Sequence, residues 1–338
     1  ERDYLGRENC TEVLLLTRPE VIQGIHETFL EAGADAVETD SFNSSVHTME
    51  DQDLSDRVHE LNKLAAQIAR KACDKYSTPD KPRFVIGSIG PGTKLITLGN
   101  IDWDTMHASY AEQVRGLIDG GADVLLIETA QDILQVKCVI SAALTVLEEK
   151  GLTPDTGDND GDIPIMVQVT IEQGMGTTLI GTTIAGVAAA LHDLPIFSLG
   201  MNCATGPGEM AEHVNYLAKH WPGKISLLPN AGLPALVDGQ TARTVRRESG
   251  GVRRVLWHPH RRRLLRDNPG AYCQARRGGR SSAPRQDCQG TLGPHDFFAD
   301  GGGRIPTGPV DPEYRRTYQR LGFAQVQAAP GRGELGRD

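Results

Sequence analysis

Across residues 20–219 the chain alternates short apolar runs with longer segments whose apolar residues recur every three or four positions. Runs of the first kind read as buried strands and the second as amphipathic helices, so their order predicts successive βα units around a parallel sheet. Strands are expected at 36–39, 84–89, 124–129, 165–170, 197–202 and 225–230, with helices near 19–32, 55–73, 103–119, 133–149, 183–191 and 208–218. Gly33, Gly120, Gly121 and Gly151 sit where helix C-caps belong, and Thr17 precedes Pro19 as a candidate N-cap.

The strand starts lie 28 to 48 residues apart, one βα unit each, and no G-x-G-x-x-G follows a strand to suggest a dinucleotide fold. Each strand ends in polar residues: Glu38 with Asp40, Ser88, Glu128 with Thr129, Gln168 with Thr170, Asn202 with Cys203, and Asn230. Apolar strand bodies with polar carboxyl ends are what a barrel enzyme needs, because its site is built at that face. The expected fold is therefore an α/β (β/α)8 TIM barrel, with an open α/β sheet as the alternative. Only six strands are visible. The missing ones would be the first and the last, which are neighbours in a closed barrel, so their absence would leave unpaired edges on the strands at 36 and 225.

Charge divides the chain. The net charge of −9 averages residues 1–240, with 16 Lys plus Arg against 35 Asp plus Glu, and residues 241–338, with 19 Arg, no Lys and 9 acidic residues. The expected organisation is a barrel fragment over 1–240 followed by an Arg/Gly/Pro-rich tail over 241–338. One reading of that tail is an arginine-rich nucleic-acid-binding extension around Trp257. The favoured one is out-of-frame translation of a GC-rich gene, which yields Arg, Gly and Pro with almost no Lys, and such a tail is expected to be disordered. With the acidic part read alone, nucleic acid is not an expected partner.

No apolar stretch is long enough to span a bilayer, so no membrane partner is expected. Six scattered cysteines, Cys10, Cys73, Cys138, Cys203, Cys273 and Cys288, argue against a secreted disulfide scaffold and point to a cytoplasmic protein. The chain begins with Glu1 rather than Met, and it is expected to be a fragment.

Two residues carry candidate chemistry. Cys203 lies at a strand end before a Gly-rich turn into a helix, where a thiolate would be favoured as nucleophile or zinc ligand; an inert packed thiol is the alternative. Glu128 closes the most apolar strand, and a partly desolvated carboxylate there can hold an ammonium or act as a base; a salt bridge to a loop is the alternative. The acidic stretch 155–162 places Gly161 wrongly for a calcium loop and reads as a solvated loop. Cys10, Cys73 and Cys138 read as packed thiols.

Together Glu38-Thr39-Asp40 running into Ser41-Phe42-Asn43, GSIGP at 87–91, IET at 127–129, GMNCATGP at 200–207 and PNAG at 229–232 resemble the homocysteine-binding module of cobalamin-dependent methionine synthases. The resemblance runs from about residue 9 to residue 241. It implies a (β/α)8 barrel, homocysteine as substrate and one zinc held by three cysteines. Methyl groups would come from methylcobalamin, recharged from methyltetrahydrofolate on separate modules that this chain does not contain. By the same resemblance Cys203 matches the first zinc ligand and Asn230 an asparagine that can approach zinc, while Glu128 receives the homocysteine ammonium. Asp40, Ser88 and Asn202 are assigned with Glu128 to the substrate.

The departures are equally specific. The family's Gly-Gly-Cys-Cys-Gly motif, which supplies the other two zinc ligands, is absent, and so is the Asp-Gly-Ala-Met-Gly of its first strand. Zinc is therefore expected to bind weakly or not at all, and the chain as written to be inactive. Two alternatives remain: a homocysteine methyltransferase using betaine or S-methylmethionine, and a degenerate barrel whose Arg-rich tail binds RNA.

Overall fold

The computed structural model describes residues 3–7, 9–159 and 161–230. The expectations placed on the tail, on Cys273 and Cys288 and on an RNA-binding segment fall outside the described residues.

A 3-10 turn at Thr11–Val13 and α1 (Leu14–Thr17) lead into α2 (Pro19–Glu31), β1 (Ala36–Glu38), α3 (Val46–Met49), α4 (Val58–Tyr76), β2 (Phe84–Ile89), α5 (Trp103–Asp119), β3 (Val124–Ala130) and α6 (Ile133–Glu149). The two-residue β4 (Pro154–Asp155) follows, then β5 (Ile163–Val169), α7 (Ile184–Leu191), β6 (Ser198–Asn202), α8 (Pro207–His220) and β7 (Lys224–Leu228). All strand pairings are parallel, in the order β1-β2-β3-β5-β6-β7, with β4 on the side of β5. This is a curled, half-barrel parallel sheet in an α/β fold. Among the described residues β1 and β7 are its edges.

All six expected strands form, with ends shifted by one or two residues, and β4 is an addition. Each strand splits its residues between two faces, as the period of two requires. Val37, Val85, Leu125, Ile127, Ile165, Val167, Leu199 and Met201 pack outward into the core shared with α4 to α8. The opposite face carries Glu38, Ser88, Glu128, Gln168 and Asn202. A second apolar cluster, Leu15, Ile22, Ile25, Val58 and Leu61 among others, fastens α1 and α2 to α4.

The helix starts use caps that differ from expectation. Thr17 does not cap α2: it ends α1, where its hydroxyl donates to the carbonyls of Asp3 (2.6 Å) and Val13 (3.2 Å), and Arg18 takes the cap position. Asp102, Asp132 and Thr183 are the side-chain caps, accepting from the backbone of Thr105, Leu134 and Gly186. The segment 155–162 is not simply solvated. Asp155 is buried, its Oδ1 accepts from Gly157 N at 2.8 Å, and Asp162 Oδ2 accepts from Thr153 N at 2.8 Å. Among the described residues no helix is long and apolar enough to cross a membrane.

One irregularity shapes the sheet. Ile127 pairs with Val167 but Ala130 pairs with Val169, so β3 spends three steps where β5 spends two. The extra residue is a β-bulge, and Thr129 within it has φ +55°.

Candidate functional site

At the carboxyl ends of β2, β3 and β6 the inward residues converge. Glu128 is 6% exposed, and both its oxygens are held: Ser88 Oγ donates to Oε1 at 2.6 Å and Asn202 Nδ2 to Oε2 at 3.0 Å. Burial pushes its carboxyl up to about 7, against the lowering pull of the hydrogen bonds from Ser88, Thr129 and Asn202. None of these partners is a cation.

Glu38, half-buried at the end of β1, faces the same space. Its carboxyl lies well above the usual range, first through burial and then through the charge of Glu128. The sequence marks Glu38 only as a polar strand end; that it opposes Glu128 follows from the curl of the sheet.

The bulge of β3 reaches β6. Thr129 N donates to Asn202 Oδ1 at 2.9 Å, Asn202 Nδ2 donates to Thr129 Oγ1 at 2.8 Å, and Thr129 Oγ1 lies 3.9 Å from Cys203 Sγ. Cys203 and Ala204 are also left-handed, at φ +56° and +53°. A β-branched residue at positive φ is costly, roughly 1–3 kcal/mol, so Thr129 and its partner strand end together hold a strained turn in place. Gly200, two residues before Asn202, lets β7 approach, since a Cβ there would strike the Ser226 carbonyl.

The Cys203 thiol is half-buried and its pKa is raised, by burial first and by the charges of Glu128 and Glu38, against a hydrogen bond with Thr129. The expected thiolate-favouring helix terminus does not prevail: the helical cap is Gly206, three residues on. Cys10, Cys73 and Cys138 are buried, and burial pushes each thiol up to about 12.

Asp40 belongs to a different cluster. Its Oδ1 accepts from Thr11 Oγ1 at 3.4 Å, its Oδ2 has no partner among the described residues, and burial and then Glu12 hold its carboxyl well above the usual range. Glu12, itself buried, accepts from Asn43 N at 2.9 Å. No sequence pattern links Glu12 to Asp40, which stand 28 positions apart. Asn230 is half-buried at the end of the described chain, where its backbone N donates to Thr205 O at 3.1 Å. Between the clusters Thr39 and Ser41 share a 2.6 Å bond, Ser88 N donates to Thr39 Oγ1, and Ser41 Oγ donates to Ser88 O, which fixes β1 to β2 at the mouth.

A structural zinc needs about four N, S or O donors in tetrahedral array. Among the described residues no three His, Cys, Asp or Glu group to hold a metal, and Cys203 is a single thiol with acidic neighbours that lack metal geometry. The described donor set does not fit a zinc site.

Parallel strands with a polar, partly desolvated mouth at their carboxyl ends define an α/β protein of the class that builds its sites at that face. The chain belongs to the homocysteine S-methyltransferase family, whose model matches residues 2–260. Methionine synthase of Mycobacterium leprae (strain TN) is 42% identical over 234 residues, 69% of this chain and 19% of that protein. Methionine synthase of Mycobacterium tuberculosis (strain ATCC 25618 / H37Rv) is 41% identical over 234 residues, with the same coverage. The chain thus spans about a fifth of the length of the curated relatives it matches. Among solved structures, the homocysteine methyltransferase MmuM from Escherichia coli aligns with TM-score 0.54 and 21% identity in its metallated form, covering 66% of this chain and 76% of that one. Its apo form aligns with TM-score 0.50 and 22% identity, over 65% and 74%. These structural likenesses speak for the fold.

Proposed function

We propose that residues 1–240 are the homocysteine-binding module of a methionine synthase, in which the homocysteine sulfur accepts a methyl group. The observation that carries this reading is the Glu128 carboxylate, buried, held by Ser88 and Asn202, and with no cation among its partners in the described residues. An amino-acid ammonium supplies that cation. Its arrival favours the charged carboxylate and offsets the burial that raised the pKa. In the reaction the sulfur gives its proton to solvent and forms the S–CH3 bond with its own electron pair, while the methyl donor leaves with the pair of the bond that breaks.

On this reading the sheet is part of a (β/α)8 barrel, with cobalamin and methyltetrahydrofolate modules elsewhere in the full-length enzyme and a cytoplasmic setting. Zinc and methylcobalamin belong to the same proposal, and no step is assigned to either, because the described residues bring one thiol, Cys203, to the mouth. The chain as written is for that reason expected not to turn over. Calorimetric titration of the full chain with homocysteine tests the binding half: saturable one-to-one binding that Glu128→Gln weakens at least tenfold supports it, and no binding by the unsubstituted chain overturns it.

A further inference from the structure

Gln168 stands on the inward face of β5, opposite the bulge that Thr129 makes in β3 and in register with Gly200 of β6. The outward face of β5 is occupied by Ile163, Ile165, Val167 and Val169, so the alternation turns Gln168 toward the mouth. It is 1% exposed, and its Oε1 finds no hydrogen-bond partner among the described residues. A buried amide oxygen without a hydrogen-bond donor is destabilising, and one aimed at a site is a candidate ligand contact. The alternation and register bring it beside Glu128, whose two oxygens are already spoken for by Ser88 and Asn202. An ammonium carries three N–H donors, and Glu128 alone cannot take all three in good geometry.

We propose that Gln168 Oε1 is a second acceptor for the substrate ammonium, working beside Glu128 to select an α-amino thiol. This assignment rests on the homocysteine reading above.

The test is calorimetric binding of homocysteine and of 3-aminopropanethiol, which keeps the ammonium and sulfur but lacks the carboxylate, to the full chain and two variants. Gln168→Met keeps the length and removes the acceptor; both ligands are expected to lose about tenfold in affinity. Gln168→Glu restores an acceptor, and both should return to within about threefold of the original. Loss for homocysteine alone would make Gln168 a carboxylate contact and overturn the proposal, as would no loss for either ligand. Failure of Gln168→Glu to restore binding after Gln168→Met had removed it would show that the amide N–H rather than its oxygen is what the site uses, and would overturn it too. If the unsubstituted chain binds neither ligand, the homocysteine reading itself fails and this assignment falls with it.

Discussion

One amide nitrogen of Asn202, on β6, serves two residues at the end of β3 on the far side of β5: Nδ2 donates to Glu128 Oε2 at 3.0 Å and to Thr129 Oγ1 at 2.8 Å, while Asn202 Oδ1 takes the Thr129 backbone N–H. A single side chain therefore fixes both the carboxylate and the bulge that presents it.

Asn202→Leu is expected to cost about 1–3 kcal/mol in denaturant unfolding, since it strands the half-buried Thr129 N–H and a buried Glu128 oxygen. It should also weaken homocysteine at least tenfold and push the Glu128 carboxyl above its present raised value, because a lowering hydrogen bond is lost. Unchanged stability together with unchanged affinity would refute the linkage.

The pH dependence follows from Glu128, whose carboxyl is pushed from 4.5 up to about 7, chiefly by burial. A folded pKa above the unfolded one means the folded state binds more protons, so this group's stabilisation is full below the unfolded value and is lost as pH rises through about 7. Ligand binding runs the other way, because the ammonium needs the carboxylate. Homocysteine affinity should rise between about pH 6 and about pH 8. A flat profile for the unsubstituted chain over that interval would sink the assignment of Glu128 to the ammonium.

Thr129 separates strain from hydrogen bonding. Thr129→Val keeps a branched side chain at positive φ and loses the hydroxyl, and should cost about 1–3 kcal/mol in thermal or denaturant unfolding. Thr129→Gly loses the same hydroxyl but relieves the backbone, and should cost less. If the valine variant is the milder of the two, left-handed strain is not at work here.

Zinc titration against a metal-competing dye checks the donor count. Less than one equivalent of tightly bound zinc is expected for the full chain, because Cys203 is the single thiol at the described mouth. Stoichiometric tight zinc would contradict that.

The out-of-frame reading of 241–338 is tested on the gene. Read in all three frames after codon 241, the nucleotide sequence should yield a Gly-Gly-Cys-Cys-Gly string in one alternative frame, and its absence from both would defeat the reading.

The fold was legible because parallel strands are buried on both faces. In β3, Leu125 and Ile127 pack against helices while Val124 and Leu126 face inward, giving an uninterrupted apolar run with a polar end. Glu128, Ser88 and Asn202 could be named from that polarity. Thr129 could not be read as a bulge, since threonine is at home in strands and nothing in I-E-T announces positive φ. Glu12 and Glu38 were opaque for another reason: their neighbours Asp40 and Glu128 come from other segments and meet only when the sheet curls. Thr17 misled because a short helix ends there before α2 begins.

The extra residue in β3 also sets a counting rule. Elsewhere in the sheet, residues two apart share a face, but across 127–130 the parity slips by one, so that Ala130 rejoins the outward core that Ile127 belongs to. Substitutions in this stretch change chemistry, whereas a one-residue gain or loss exchanges inside for outside at the end of the strand, where Ala130 closes β3. Any related sequence aligned to this one must therefore be matched without a gap at this point. A gap introduced there would pair a lining residue in one protein with a core residue in the other.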